Sequence, residues 1–458
     1  MIIKSIFNKR TIPILLLSIS MIMEAQPTYS TLWTLEKCIE YALENNIELK
    51  AEKLSVQEQD ISLSESKWAF VPRISATTGY NLSIGRVLDE TTYDFINNET
   101  MGSSSSSISV SLPIFSGLKN LGQLQAAEIG KKTASLQVEK ACNDLKLNIT
   151  AYFLEVLCAK ENITNCESLV ESLRQQEQHT GKKVGLGKVT FADLLQVRSR
   201  LAEAENALLS AIHSYDVSRL NLCQLIEIDD YTSFIPYVNE HENISCVNGI
   251  YPSILDRCYN LPQILIAENN VEMARKNIQI AKSSYYPSIS LSAGYGASYS
   301  SARRKIIGEF KDSYTYGQYP FFDQYRDNAN GYVSLGLSIP ILNNLSARNG
   351  VKRAKLELQR SECALETTRK QLRKEVLQAV LDAETAWKRY TGSASYLESA
   401  KEAFRQISAK YENGAANMTE YTTAVSTMTE AQYQYLASKY EYIFKVKILE
   451  FYKSYQDK

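Results

Sequence analysis

Asp193 and Glu420 are the side chains whose type and spacing invite a chemical reading. Each lies six positions after a glycine, Gly187 or Gly414, and the step along the chain from one glycine to the other equals the step from one acid to the other. A carboxylate held at a fixed place in the backbone can move a proton, ligate a metal or cap a helix, and its neighbours decide which. Neighbours for catalysis are missing: the chain has no H-E-x-x-H, G-x-S-x-G or Walker-type loop. His179, His213 and His241 share no metal spacing. Cys38, Cys142, Cys158, Cys166, Cys223, Cys246, Cys258 and Cys363 include no C-x-x-C and have no histidine placed to complete a zinc site, so most are expected to be buried free thiols. No enzyme activity, cofactor or metal is expected. Helix capping remains, because Thr190-Phe191-Ala192-Asp193 and Asn417-Met418-Thr419-Glu420 each place an acid three positions after a residue that starts helices well.

Composition narrows the partners. Fifty Lys and Arg against 51 Asp and Glu give a formal net charge of -1, without the basic excess of a nucleic-acid binder. With 44% hydrophobic residues, 10 Pro and 19 Gly the chain is folded, neither collagen-like nor disordered. Lys4, Lys9 and Arg10 precede the apolar run 12–22, which is too short for a bilayer span and fits a secretory signal peptide, residues 1–25, cut after Ala25 with Ser30 as second choice. No later stretch reaches the length of a membrane helix, about 18 apolar residues.

Prolines mark out the elements that must position the two acids. None lies between Pro113 and Pro236 or after Pro340, which leaves two very long segments free to be helical. In the first, Ile149, Tyr152, Val156, Ala159, Ile163, Cys166, Val170 and Leu173 step by 3 and 4 in turn. The second has the same repeat, running from Leu372, Val376, Ala379 and Ala383 to Tyr411. Such a seven-residue repeat implies a left-handed supercoil. Before each long helix come two alternating runs, Ile74 to Leu82 with Ile108 to Ile114, and Ile289 to Tyr299 with Val333 to Ile341. Each is about the 9–11 residues that a tilted membrane strand needs. Pro72, Pro113, Pro287 and Pro340 stand at strand ends.

The halves repeat. Pro113 and Pro340 are separated by the same step as the two acids, whereas Pro72 and Pro287 stand closer together, so the loop within the second strand pair is the longer one. The expected layout is a first repeat 26–230 (helix 35–69, strand pair about 73–115, long helix 118–180, return helix 190–225). A linker 231–252 at mid-height follows. The second repeat is 253–458 (helix 253–284, strand pair about 288–342, long helix 346–411, return helix 417–452). The serine run 103–107 and the tyrosine-rich stretch 314–325 read as outside loops, and Trp68, Tyr285 and Tyr286 as an aromatic belt. Four strands cannot close a barrel in lipid, so oligomerisation is required. Two copies give a side-chain-filled barrel of eight strands, and three give twelve and begin to leave a lumen.

The chain resembles the TolC-like outer-membrane efflux family over nearly all of its mature length. The resemblance rests on LWTLEKCIEYALENNIEL, on WAFVPRISATTGY and YYPSISLSAGY before and within the strands, on SLPIFSG and LSIPILNN closing them, and on VGLGKVTFADLLQV and YENGAANMTEYTTAV at the far turns. It implies a mainly α fold with a small β part: a homotrimer with a twelve-stranded outer-membrane barrel, four strands per protomer, continuous with a long periplasmic α-helical barrel in a Gram-negative bacterium. It implies partners as well, a periplasmic adaptor, an inner-membrane transporter of RND, ABC or MFS type and outer-membrane lipid, with no nucleic acid. The function implied is passive conduction of substrates in a tripartite efflux or type I secretion system. The resemblance assigns Asp193, Tyr411 and Glu420 to the periplasmic entrance, where three copies would form a ring of six carboxylates that favours cations. Two family positions differ, a basic one being Ala416 here and a second acidic one Thr423. Cap only, or cap and entrance together, are the two readings of the acids. The rival for the whole chain is a non-conducting coiled-coil adaptor or a structural or adhesive protein.

Overall fold

The computed structural model describes residues 32–88, 95–237, 260–310 and 313–454. The signal segment 1–25, the linker residues 238–252, the helix start 253–259, His241, Cys246 and Cys258 lie outside the described residues.

Freedom from proline lets two helices of 67 residues run unbroken, α3 (Lys119–Gly185) and α7 (Ser346–Glu412), each ~100 Å long at 1.5 Å per residue. Both are entered through two successive left-handed residues, Gly117-Leu118 and Asn344-Leu345, with φ of 61°, 66°, 52° and 61°. For a leucine this conformation costs roughly 1–2 kcal/mol, which the surrounding packing must offset. Gly117 also lacks room for a side chain, because a Cβ there would lie 2.7 Å from the Ser283 carbonyl oxygen. The first helix continues past residue 180 through Gly181, since a single glycine costs a packed helix only ~1 kcal/mol. The return helices α4 (Phe191–Leu225) and α8 (Met418–Ser454) lie against α3 and α7 respectively.

One helix was expected over 35–69, but the structure has two, α1 (Leu35–Asn45) and α2 (Ile47–Trp68). Asn46 makes the break. Its buried Oδ1 accepts from the Leu49 N–H at 2.9 Å, capping α2, and its Nδ2 donates to the Leu225 carbonyl at 3.0 Å, where α4 ends. In the second half α5 (Pro262–Lys282) packs against both α3 and α7. At mid-height β1 (Leu32–Trp33) pairs in parallel with β4 (Ile235–Pro236) over a core that includes Cys38, Ile149, Phe153, Leu222, Cys223 and Phe234. The halves are tied where α3 meets α8: Lys439 Nζ lies 3.1 Å from Glu161, and the Tyr440 hydroxyl donates to the same carboxylate. Burial, then that hydrogen bond, pushes the Tyr440 phenol up. Ala379, Ala383, Ala386 and Ala400 form a buried small-residue seam on α7.

The main sheet is built from β2 (Arg73–Leu88), β3 (Phe95–Ser116), β5 (Ser288–Ser300) and β8 (Asn330–Ser338). They lie in the order β2-β3-β5-β8 and are antiparallel throughout. The serine run 103–107 is not a loop: it pairs with residues 77–81 and 296–300 inside β3, which rises beyond every strand but β2. The stretch 314–325 does lie between β5 and β8, where it overlaps β7 (Ser313–Gly317), paired with β6 (Lys305–Phe310), and the short helix α6 (Phe321–Asp327). Pro113 lies within β3, which continues to Ser116 past an irregularity at residue 114 that absorbs the missing N–H donor, whereas Pro340 falls two positions after β8 ends.

Burial pushes the thiols of Cys38, Cys158 and Cys223 up to about 12, 11 and 11. At pH 8 they are protonated and poor nucleophiles, while Cys363 is exposed. Of the six cysteines among the described residues, an aromatic disulfide reagent at pH 8 is expected to modify Cys363 first and to reach Cys38 and Cys223 only after denaturation, as read by mass spectrometry of the peptides.

Candidate functional site

Two surfaces carry the functional argument, the faces of the sheet and the far tip of the helices. Because side chains alternate along a strand, the register sorts them by face. One face aligns Ile74 with Val110, Ala293 and Val333, Ala76 with Ile108 and Tyr295, and Leu112 with Leu291 and Leu335. This apolar face is open: Ile74 is 70% exposed, Val333 78% and Leu335 68%. The other face aligns Arg73 with Ser111, Ser292 and Ser334, Ser75 with Ser109, Gly294 and Tyr332, and Thr77 with Ser107, Gly296 and Asn330. Hydroxyls dominate it, Ser75 and Ser109 sharing a 2.8 Å hydrogen bond. In the rows from Arg73 to Asn81 and their partners, Arg73 is the one charged side chain on this face among the described residues. Gly294 makes room for the Tyr332 ring, since a Cβ there would lie 2.5 Å from it.

Among the described residues the two outer strands, β2 and β8, each have one neighbour only, so two rows of backbone N–H and C=O groups are unpaired there. Among the described residues no helix is long and apolar enough to cross a membrane. Trp68, Tyr285 and Tyr286 are exposed just before the strands begin. Pro72 and Pro287 immediately precede β2 and β5.

At the tip, α3 ends in a Schellman turn: Gly187 with φ of 66° lets its N–H reach the Val184 carbonyl at 2.9 Å and that of Lys188 reach Lys183 at 2.9 Å. Gly414, φ 72°, repeats the turn after α7. Both acids are engaged as caps. The Asp193 N–H donates to Thr190 Oγ1 at 3.2 Å, and Asp193 Oδ2 accepts from the Thr190 N–H at 2.9 Å. The Glu420 N–H donates to Asn417 Oδ1 at 2.9 Å, and its carboxylate accepts from the Asn417 N–H at 3.2 Å. Asp193 is half-buried and Glu420 exposed.

Tyr411 sits apart from these caps, in a cluster with Val197, Met418, Tyr421 and Val425. Its ring stacks on Tyr421 at 5.0 Å between centroids and lies 5.4 Å under Lys183 Nζ. Three helix ends from the two hairpins are thereby joined, α3 by Lys183, α7 by Tyr411 and α8 by Tyr421. Burial, followed by the neighbouring Tyr411 and Glu412, pushes the Tyr421 phenol up. Lys183 and Tyr421 escape a sequence reading. Only the preference for cations in a helix's last turn, and the place of Tyr421 directly after a capping acid, hint at them. Among the described residues no group of three or more His, Cys, Asp or Glu could hold a metal ion.

The family model described as outer membrane efflux protein matches residues 38–226 and 259–449. A relative named cation efflux system protein CusC, from Escherichia coli O157:H7, is 24% identical over 84% of this chain and 78% of its own. Toxin and drug export protein A of Aggregatibacter actinomycetemcomitans is 21% identical over 89% of this chain and 83% of its own. The solved Campylobacter jejuni CmeC outer membrane channel superimposes with a TM-score of 0.76 at 16% identity, over 92% of this chain and 86% of that one.

The Tyr411 hydroxyl is buried with no hydrogen-bond partner among the described residues, a penalty of about 1–3 kcal/mol. Tyr411→Phe is therefore expected to leave thermal stability unchanged or raise it, while Tyr411→Ala lowers it by about 3–5 kcal/mol through lost packing. Calorimetry of the detergent-purified protein checks both.

Proposed function

Because the chain belongs to the outer membrane efflux protein family, we propose that three copies join edge to edge, β8 of one beside β2 of the next, into a twelve-stranded barrel that serves as a passive export duct. One observation carries the reading. The sheet exposes an apolar face and two unpaired edges at once: the face suits lipid, and in lipid the edges demand closure. Lipid covers the apolar face, so the hydroxyl face lines the lumen and offers water and polar solutes hydrogen bonds without a deep pocket.

The helices extend this lumen ~100 Å into the periplasm. In this reading the tip receives cargo through a periplasmic adaptor from an inner-membrane transporter, which supplies the energy. No residue of the duct needs to do chemistry. The ring of Asp193 and Glu420 narrows the entrance while the Lys183–Tyr411–Tyr421 contact holds the hairpins together.

The test is conductance of the purified protein in planar bilayers. Discrete channels are expected, with Asp193→Ala together with Glu420→Ala raising conductance or reducing cation preference; protein that never inserts contradicts the duct. Unchanged conductance and selectivity in the double variant leaves the acids as caps alone. In the same assay, Arg73→Glu is expected to shift the reversal potential in a salt gradient toward cations relative to Arg73→Lys.

A further inference from the structure

The longer second loop has a use of its own. Pairing of β5 with β8 stops at Gly296 and Asn330, so the edge of β5 beyond Gly296 has no strand beside it. Helix α6 fills the gap with side-chain amides. Gln324, 1% exposed, accepts the Ser300 N–H on Oε1 at 3.0 Å and donates from Nε2 to the Ser300 carbonyl at 3.0 Å and to the Tyr319 carbonyl at 2.8 Å. Asn328 Nδ2 donates to the Ser298 carbonyl at 2.9 Å. The helix is thus seated as a substitute for the missing strand.

Its aromatic side chains turn to one face of the sheet. The Tyr325 hydroxyl bonds Ser104 Oγ at 2.7 Å and Ser106 Oγ at 3.2 Å, and Phe321 stacks on Tyr325 at 4.5 Å and meets Tyr299 at 4.9 Å. By the register, Ser104, Ser106 and Tyr299 share a face with Ile108, Val110 and Tyr295, the apolar face. Phe322, edge-on to Phe321, is 83% exposed. Polar groups occupy the rest of the loop: Arg326 contacts Asp327 at 3.1 Å and Asp323 at 3.5 Å, and the Tyr319 hydroxyl donates to Asp327.

Height agrees. From Ser288 to Tyr299 the strand climbs ~3.3 Å per residue, or ~28 Å after a tilt of about 40°, close to the ~25 Å apolar band of an outer-membrane barrel. In the barrel reading the exposed Trp68, Tyr285 and Tyr286 would lie at the lower margin of that band. We propose that α6 is an interfacial anchor, packed on the outside of the barrel with Phe321 and Phe322 inserted at the headgroup boundary of the outer leaflet. Its occupant is membrane lipid, by continuity with the lipid-covered face below. The inference rests on the barrel reading above.

The test is Phe322→Trp in the full-length protein, reconstituted in vesicles containing lipids brominated at the headgroup end of the acyl chain. Emission is taken as the difference from unchanged protein. The added indole is expected to emit at short wavelength, to lose most of its intensity to the brominated lipid and to be untouched by aqueous iodide. Quenching by iodide instead would overturn the anchor in favour of a solvent loop. Quenching by neither would overturn it in favour of burial against an adjacent copy. Protein that fails to float with the vesicles would contradict the barrel itself, a result separate from the other three.

Discussion

An open sheet edge cannot remain open in hydrocarbon, and the rest of the molecule follows from that constraint. Each unpaired N–H or C=O in lipid costs several kcal/mol, and β2 and β8 present a row of them on either side of a four-stranded sheet. In the proposed duct these edges are covered by other copies, because membrane barrels start at about eight strands. In that arrangement the two hairpins below each sheet would be brought around a common axis. The long helices continue that axis because no proline or strand interrupts them for 67 residues.

The duplication is visible in the backbone itself. Left-handed residues recur at 117–118 and 344–345, and again at Gly187 and Gly414, with one constant spacing between the members of each pair. These are the hinges where strand turns into helix and where helix turns back, and they are what a repeat must preserve for both halves to build one wall. The strands diverge instead. β3 runs for 22 residues but β8 for 9, and α6 takes the place beside β5 that the short strand leaves.

Periodicity made the long helices, the alternating strands and the doubled plan legible in the sequence, because each buries or exposes a regular stripe. The capping acids were legible for the same local reason, being three positions from their N-cap. What escaped depends on contacts between distant segments. Asn46 breaks a helix because the end of α4, at Leu225, lies beside it, and no local signal of residues 35–69 predicts that partner. The serine run 103–107 looks like a loop until residues 77–81 and 296–300 are placed on either side of it. Gln324 and the Lys183–Tyr411–Tyr421 stack likewise gain their meaning only from residues brought together by the fold.

The proposed duct requires closure by three copies. Native mass spectrometry of the protein released from detergent measures this most directly: a single species of three times the chain mass, stable without any partner protein, is expected. A monomer, or a dimer whose eight strands would leave no lumen, would contradict it.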